Sequence, residues 1–180
     1  MDIAVFGSSL PAEGEAAYED AREVGREIAR RGARVVCGGY GGVMEAVCRG
    51  AAEAGGASVG VVLAGLGSPN RFVTESIVAA DLSERLRLLR DLPDAWIILP
   101  RGLGTLLELV WVAESIVKGD TRPRPLVLLG DFWRRTVQTA LAEASAGPGA
   151  NALETSLRFR ATPPEAVAAA LSRGREEDRA

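Results

Sequence analysis

Five short apolar runs, each separated from the next by an amphipathic stretch, constrain the fold more than any other feature of this chain. The runs cover residues 3–7, 33–38, 58–65, 95–100 and 124–130. Continuous apolar runs of this length are typical of strands buried on both faces, and the stretches between them have helical periodicity. The pattern predicts an α/β fold: a Rossmann-like, doubly wound, mostly parallel sheet with helices on both faces.

The remaining pattern places the other elements. With 180 residues, of which 47% are hydrophobic, we expect one Rossmann-like domain over residues 1–172 and a charged, frayed tail over 173–180. We expect a turn or loop over 142–152, where glycine and proline cluster. The predicted helices cover 15–31, 42–54, 81–91, 104–117, 131–144 and 163–172, and further short strands are expected at 71–78 and 156–160.

Composition excludes several classes of chemistry. The chain has no histidine, so histidine-based triads and histidine-ligated zinc sites are excluded. Lys118 is the only lysine and sits in "VKGD", which is typical of a solvent-facing helix end; we therefore discount a pyridoxal-phosphate enzyme. Cys37 and Cys48 are too few for a disulfide framework.

Charge and hydropathy bear on partners and location. The net charge of -3 and the pI near 5.2 give no basic field, so we expect no nucleic-acid partner. No stretch is long enough to span a bilayer, and the N-terminus lacks a basic segment followed by a long apolar run. We therefore expect a cytoplasmic protein without a membrane partner.

Glycines gather after the predicted strands. "GGYGG" (38–42) precedes a helix whose free N–H groups would form an anion site, although the glycines could equally serve only to turn the chain. This stretch matches the dinucleotide-binding fingerprint poorly. The position where the fingerprint requires a third small residue is Met44, and no acidic residue ends the next strand. This disfavours NAD.

"PRGLGT" (100–105) repeats the arrangement after a later strand. Gly102 and Gly104 would allow close backbone approach, and Thr105 would either cap the helix or donate to a phosphate oxygen. Two such helix starts favour a phosphate-bearing ligand. Ser8 and Ser9 follow the first strand and are candidates for ligand contact.

Two charged residues fall in apolar surroundings. The helix that follows "PRGLGT" is apolar nearly all round and should be largely buried, which makes Glu108 a carboxylate in a costly place. On a helical wheel of residues 81–91, Arg85 falls between Leu88 and Leu89 and so faces inward. Taken alone, either residue could be a structural pair or a functional group.

The motifs "VFGSS", "GGYGGVMEAV", "VTESIVAADLSER", "LPRGLGTLLE" and "LLGDFW" resemble those of the cytokinin-activating phosphoribohydrolases, the "Lonely Guy" proteins formerly called lysine decarboxylases. The order and spacing agree across residues 3 to about 135. The family's Pro-Gly-Gly-x-Gly-Thr-x-x-Glu signature maps onto residues 100–108, which makes Glu108 the counterpart of its catalytic glutamate. Arg85 matches the family's catalytic arginine, about fifteen residues before that proline.

The resemblance implies hydrolysis of the N-glycosidic bond of a nucleoside 5′-monophosphate to free base and ribose 5-phosphate. It implies that residues 1–172 form a nucleotide-binding domain with a small nucleotide ligand and no metal or redox cofactor. It also implies a homodimer or higher homo-oligomer. The residues expected to contact substrate and phosphate are Ser8, Ser9, Gly39, Gly41, Gly42, Met44, Arg101, Gly102, Gly104 and Thr105.

Three departures leave an alternative open. Arg101 replaces a glycine, Leu86 replaces a lysine, and Leu107 replaces an acid. This chain is also similar to relatives that resemble molybdenum-cofactor carriers, and those relatives keep the glycine loops. The alternative function is therefore a non-catalytic carrier of a phosphate-bearing ligand such as molybdenum cofactor. Arg101 itself has two interpretations: a side chain on a turn that never needed positive φ, or an added cation for a more highly charged ligand.

Overall fold

A computed structural model describes residues 1–137 and 149–172 of the chain. Its seven strands form one sheet in the order β4-β3-β2-β1-β5-β6-β7, and every neighbouring pair is parallel. The strands are β1 (Asp2–Phe6), β2 (Arg34–Cys37), β3 (Ser58–Leu63), β4 (Glu75–Ala79), β5 (Ala95–Ile98), β6 (Leu126–Leu129) and β7 (Leu157–Arg160). The predicted doubly wound parallel sheet is confirmed.

Helices connect the strands. They are α1 (Ala16–Arg30), α2 (Val43–Glu53), α3 (Leu82–Asp91), α4 (Leu103–Val117), α5 (residues 132–137), α6 (Ala150–Ser156) and α7 (Pro163–Leu171). All six predicted helices are present; the predicted 138–144 part of the fifth lies outside the described residues, as does the tail 173–180. In the described ranges, no helix has both the length and the apolar character needed to cross a membrane.

The sheet separates two apolar layers. Alternate strand residues such as Val35 and Ile97 pack with α1, α2 and α7, while their neighbours Val36 and Trp96 pack on the opposite face with α4 and α5. This is the arrangement that apolar runs without polar alternation predict, because each strand buries side chains on both sides.

The chain departs from the sequence prediction near residue 150 and before β4. The predicted loop 142–152 ends early: Gly149 takes a left-handed conformation and α6 begins at Ala150, because the helix-forming sequence ANALETS follows directly. Residues 142–148 of that loop lie outside the described ranges. The strand expected at 71–78 lies at 75–79 instead, since Thr74 hydrogen-bonds to Ser58 at the start of β3.

Helix α4 is half-buried, so the expectation that it is largely buried is wrong. Leu109, Val112 and Ile116 pack against the sheet. The opposite face is open because a sheet covers only one side of a helix. That face presents apolar residues that are between 38% and 85% exposed: Leu103, Leu107, Val110 and Trp111.

Candidate active site

Two loops meet at the point where the strand order reverses. Strand β1 pairs with β2 on one side and with β5 on the other, so the loops after β1 and β5 leave the sheet side by side. A Cβ added to Gly102 would lie 3.4 Å from the Cα and Cβ of Ser8. In doubly wound sheets this crevice is where ligands bind. The structure thus brings together two of the predicted loops.

The glycine loop after β2 joins them at the same end of the sheet. The backbone N–H of Val43 donates to the carbonyl of Ser8 at 2.9 Å, and Gly42 has a φ of +64°. A Cβ on Gly42 would come within 2.4 Å of the backbone of Ser9, so only glycine fits. The start of α2 is therefore not fully free, contrary to expectation, because the β1 loop occupies its first donor.

Asn70 and Tyr40 hold the same loop from the side of β3. The Asn70 side-chain amide donates to the carbonyls of Gly39 at 3.1 Å and Tyr40 at 2.9 Å. The Tyr40 hydroxyl accepts the N–H of Leu63 at 2.8 Å. The sequence prediction missed both residues, although an aromatic residue between two pairs of glycines was a visible signal.

Arg85, from α3, is anchored by backbone carbonyl groups. Its Nε donates to Val61 O at 2.8 Å and its Nη2 to Gly38 O at 3.3 Å, and its side chain is only 11% exposed. A Cβ on Gly38 would lie 1.9 Å from Nη2, so the arginine needs glycine there. The guanidinium also lies 5.8 Å from the centre of the Tyr40 ring. The inward orientation predicted from the helical wheel is what the structure has.

Glu108, in the second turn of α4, faces the remaining nitrogen of Arg85. The distance from Arg85 Nη1 to Glu108 Oε1 is 3.6 Å, which is an ionic contact and too long for a hydrogen bond. Burial raises the pKa of Glu108 to about 7, and the positive charge of Arg85 opposes the increase. A carboxyl group with a pKa near neutral pH is suited to proton transfer, which is a common property of catalytic acids and bases.

The start of α4 offers donors for an anion. Gly102 is the N-cap, and no side chain caps the helix, so the capping role considered for Thr105 is wrong. For the N–H groups of Leu103, Gly104 and Thr105, no acceptor is found within residues 1–137 and 149–172. Unpaired N–H groups at a helix start favour phosphate binding.

Thr105 adds a hydroxyl beneath these N–H groups. The residue is only 2% exposed, and its Oγ1 would lie 2.9 Å from a Cβ added to Gly102. Its hydroxyl has no hydrogen-bond partner in the part of the chain that the structure describes. It is therefore placed to donate to an anion held at the loop.

Arg101 precedes these donors and has a backbone φ of +74°. The interpretation that the turn never needed positive φ at this position is therefore wrong. A side chain with a Cβ is strained in this conformation because the Cβ crowds the following carbonyl. The side chain itself is exposed.

The other predicted site residues lie around the same loops and differ in how closely their surroundings are packed. Met44 is 8% exposed and packs in the core, with its sulfur 2.7 Å from where a Cβ of Gly38 would be. Gly39 has a φ of +79°. A Cβ on Gly41 would have its nearest neighbour at 3.8 Å, and one on Gly104 would meet nothing within 4 Å. Those two positions leave open space beside the loops.

The described ranges contain no group of three or more Cys, Asp or Glu side chains that could hold a metal ion. The donors that do converge are backbone N–H groups, one hydroxyl and one guanidinium. These groups suit an anionic ligand.

Comparison with known proteins agrees with this architecture. The family described as SLOG cluster4 matches residues 1–140. The cytokinin riboside 5′-monophosphate phosphoribohydrolase of Mycobacterium tuberculosis is 36% identical over 73% of this chain and 71% of its own length. The protein of the same name from Rhodococcoides fascians is 34% identical over 72% of this chain and 67% of its own length.

A solved structure shares the fold. The molybdenum cofactor binding protein of Rippkaea orientalis aligns over 90% of each chain with a TM-score of 0.70 and 24% identity. At that identity the likeness concerns the fold alone.

Proposed function

We propose, because this chain belongs to the SLOG cluster4 family, that it hydrolyses the N-glycosidic bond of a nucleoside 5′-monophosphate to the free base and ribose 5-phosphate. The observation that carries the proposal is the buried pair of Arg85 and Glu108 at the same end of the sheet as the loops that follow β1, β2 and β5. The chain would act as a phosphoribohydrolase, and the proposed reaction uses no metal or redox cofactor.

In the proposed reaction, water attacks C1′ of the ribose as the bond from C1′ to the base nitrogen breaks. Positive charge develops on the ribose, and the Glu108 carboxylate stabilises it and takes a proton from the water. The leaving nitrogen keeps the bonding electron pair and acquires a proton, which balances the proton that the water gives to Glu108, so the base departs neutral. Arg85, fixed through Nε and Nη2, would present Nη1 to the ribose, the phosphate or the leaving base.

The phosphate would bind at the start of α4. The N–H groups of Gly104 and Thr105 and the Thr105 hydroxyl would donate to the phosphate. Gly102 would allow the backbone to approach the phosphate closely. Substrate would also contact the loops that contain Ser8, Ser9, Gly39, Gly41 and Gly42, while Met44 would support the loop from below. We treat residues 1–172 as one nucleotide-binding domain.

Two of the three departures from the family signature bear little on the pair. Leu107 is 42% exposed on the outer face of α4, away from the buried carboxylate. Leu86 is buried, and Arg85 keeps its anchors beside it. Neither departure therefore removes a contact of the pair that the proposed catalysis requires.

The test is to incubate the purified protein with AMP, N6-substituted AMP and other nucleoside monophosphates, and to follow free base and ribose 5-phosphate by mass spectrometry. Glu108→Ala and Arg85→Ala should each reduce release by about 10²- to 10³-fold. Matched controls are Glu114→Ala, on an exposed turn of the same helix, and Arg87→Ala, on the exposed side of α3.

Two results would overturn the hydrolase: no release from any nucleotide, or release that both substitutions leave unchanged. The alternative, a carrier of a phosphate-bearing ligand such as molybdenum cofactor, would then be tested by binding.

We infer that the protein forms a homodimer or a higher homo-oligomer through the outer face of α4. Leu103, Val110 and Trp111 present apolar surface there that water would hydrate in a monomer. Analytical ultracentrifugation should show a dimer that Val110→Lys dissociates. A monomeric wild-type protein would refute the inference.

We also infer a cytoplasmic location. Free nucleotides are metabolised there, and the sulfurs of Cys37 and Cys48, 3.4 Å apart in the core, would stay reduced in that compartment. Fractionation of the native cells with an antibody would test this inference.

A further inference from the structure

Side chains complete the edge of β3 where β2 ends. Strand β2 ends at Cys37, while the neighbouring β3 continues beyond this level to Leu63. Beyond that point the carbonyl of Val61 accepts a hydrogen bond from Arg85 Nε at 2.8 Å. The N–H of Leu63 donates to the Tyr40 hydroxyl, also at 2.8 Å. Arg85 and Tyr40 therefore bind nearby backbone groups of the same strand.

The glycine loop after β2 brings Tyr40 to this position. A Cβ added to Gly39 would lie 3.2 Å from the Cα of Gly60 on β3, so the loop crosses the strand in close contact. The carbonyl of Tyr40 accepts a hydrogen bond from the Asn70 side chain at 2.9 Å. With its backbone bound by Asn70 and its hydroxyl by Leu63, the partly buried Tyr40 is held at both ends.

The hydrogen bonds of Arg85 leave its guanidinium one freedom of movement. Nε is bound to Val61 and Nη2 to Gly38, and a planar group held at two points can pivot about the line between them. Nη1 lies off that line, 3.6 Å from Oε1 of Glu108. Opposite charges attract strongly where water is largely excluded, so a free pivot would close this gap into a hydrogen-bonded ion pair. A further contact is needed to hold the guanidinium back.

The ring of Tyr40 supplies such a contact. The central carbon of the Arg85 guanidinium lies over the ring, 5.8 Å from its centre, which is within the range of a cation–π attraction. The side chain of Arg85 is only 11% exposed, so water screens this attraction little. The hydrogen bond of the Tyr40 hydroxyl to Leu63 keeps the ring from following the guanidinium towards Glu108.

We propose that Tyr40 is a positioning residue: its ring holds the guanidinium of Arg85 apart from the Glu108 carboxylate, so that Nη1 and the carboxylate both remain available to the ligand. This inference rests on the function proposed above, in which both groups act on the substrate. Tyr40 acts through Arg85 and needs no contact with the reacting atoms. An ion pair closed between Arg85 and Glu108 would satisfy both groups and leave neither for the ribose.

The test measures the pKa of the Glu108 carboxyl group in the full chain by ¹³C NMR, with its signal identified by its absence in Glu108→Gln. Tyr40→Leu and Tyr40→Met both remove the ring and keep apolar packing on β3. Each should lower the pKa of Glu108 by about one pH unit, because Nη1 moves closer to the carboxylate. Tyr40→Phe keeps the ring and should leave the pKa near the wild-type value.

Asn70→Ala is the matched control for a loosened loop. It removes the hydrogen bond to the Tyr40 carbonyl and keeps the ring, so the pKa of Glu108 should stay near the wild-type value of about 7. In the hydrolysis assay, Tyr40→Leu should reduce kcat about tenfold with a smaller change in KM, and Tyr40→Phe should retain most of the activity.

An unchanged or raised pKa of Glu108 in both ring-free variants would overturn the proposal. An equal fall of the pKa in Tyr40→Phe or Asn70→Ala would also overturn it, since the ring would then not be the cause. The NMR titration needs no substrate. A wild-type protein that releases no base would therefore refute the hydrolase, while a fall of the pKa confined to the ring-free variants would still support the positioning of Arg85 by Tyr40.

Discussion

Replacing Glu108 with glutamine should stabilise the folded protein at pH 8 and change its stability little near pH 4.5. The carboxyl group is buried on α4, and burial penalises its charged form more than Arg85 compensates. Glutamine has nearly the same shape and cannot ionise. The substitution therefore removes the cost of the charge while keeping the packing.

The magnitude follows from the pKa of Glu108. It is about 7 in the folded protein, against an ordinary value of 4.5 that applies to the unfolded chain. Below pH 4.5 both states bind the proton, and stability is unaffected. Between pH 4.5 and 7 the unfolded chain releases the proton first, so the wild-type protein loses stability as pH rises, and above 7 the loss is complete. At about 1.4 kcal/mol for each factor of ten in proton affinity, the total is about 3 kcal/mol.

Urea unfolding at pH 5, 6, 7 and 8 would measure this difference. The free energy of unfolding of Glu108→Gln should exceed that of wild type by about 3 kcal/mol at pH 8, and the gap should shrink steadily towards pH 5. Glu114→Gln, on an exposed part of the same helix, should show no such trend. A gap that stays constant from pH 5 to pH 8 would refute the reasoning, because it would mean that the carboxyl group does not titrate within this range.

Four further results are expected. If Glu108 acts as a carboxylate, kcat/KM for base release should rise with pH with a midpoint near 7, and a flat profile would contradict that role. Gly38→Ala should displace Arg85 and reduce kcat by roughly 10²-fold while circular dichroism stays unchanged; full activity would disprove the contact. Asn70→Ala removes two hydrogen bonds to the glycine loop and should raise KM about tenfold with less effect on kcat, whereas the reverse pattern would argue against a positioning role. Arg101→Gly relieves strain of about 1 kcal/mol, so Tm should rise by about 2–4 °C in a thermal scan; a lower Tm would mean that the side chain stabilises the fold.

Sequence periodicity was sufficient to predict the sheet and most helices. Strands such as Ala95–Ile98 are apolar at every position, which only a sheet covered on both faces permits. The inward side of α3 also followed from local pattern, because Arg85 shares a helical face with leucines. Each of these predictions depends on residues within one or two turns of each other.

Features that depend on distant parts of the chain were not predictable in the same way. Arg101, with its positive φ, lies in the loop after β5, which packs against the loop after β1 that contains Ser8. Asn70 reaches Gly39 across 31 residues. The exposure of Trp111 depends on which face of α4 the sheet covers. A helix that is apolar nearly all round does not indicate which face that is.

The two acceptors that hold Arg85 are both backbone carbonyls, at Gly38 and Val61. A carbonyl group is present whatever side chain its residue has, so no substitution at position 61 deletes that acceptor as long as β3 forms. An arginine held by a carboxylate would lose its partner through a single codon change. The orientation of Arg85 is in this respect buffered against mutation at position 61, whereas position 38 must remain glycine because a Cβ there would meet Nη2. Residues that contact the ligand can therefore change during evolution while Arg85 keeps its position.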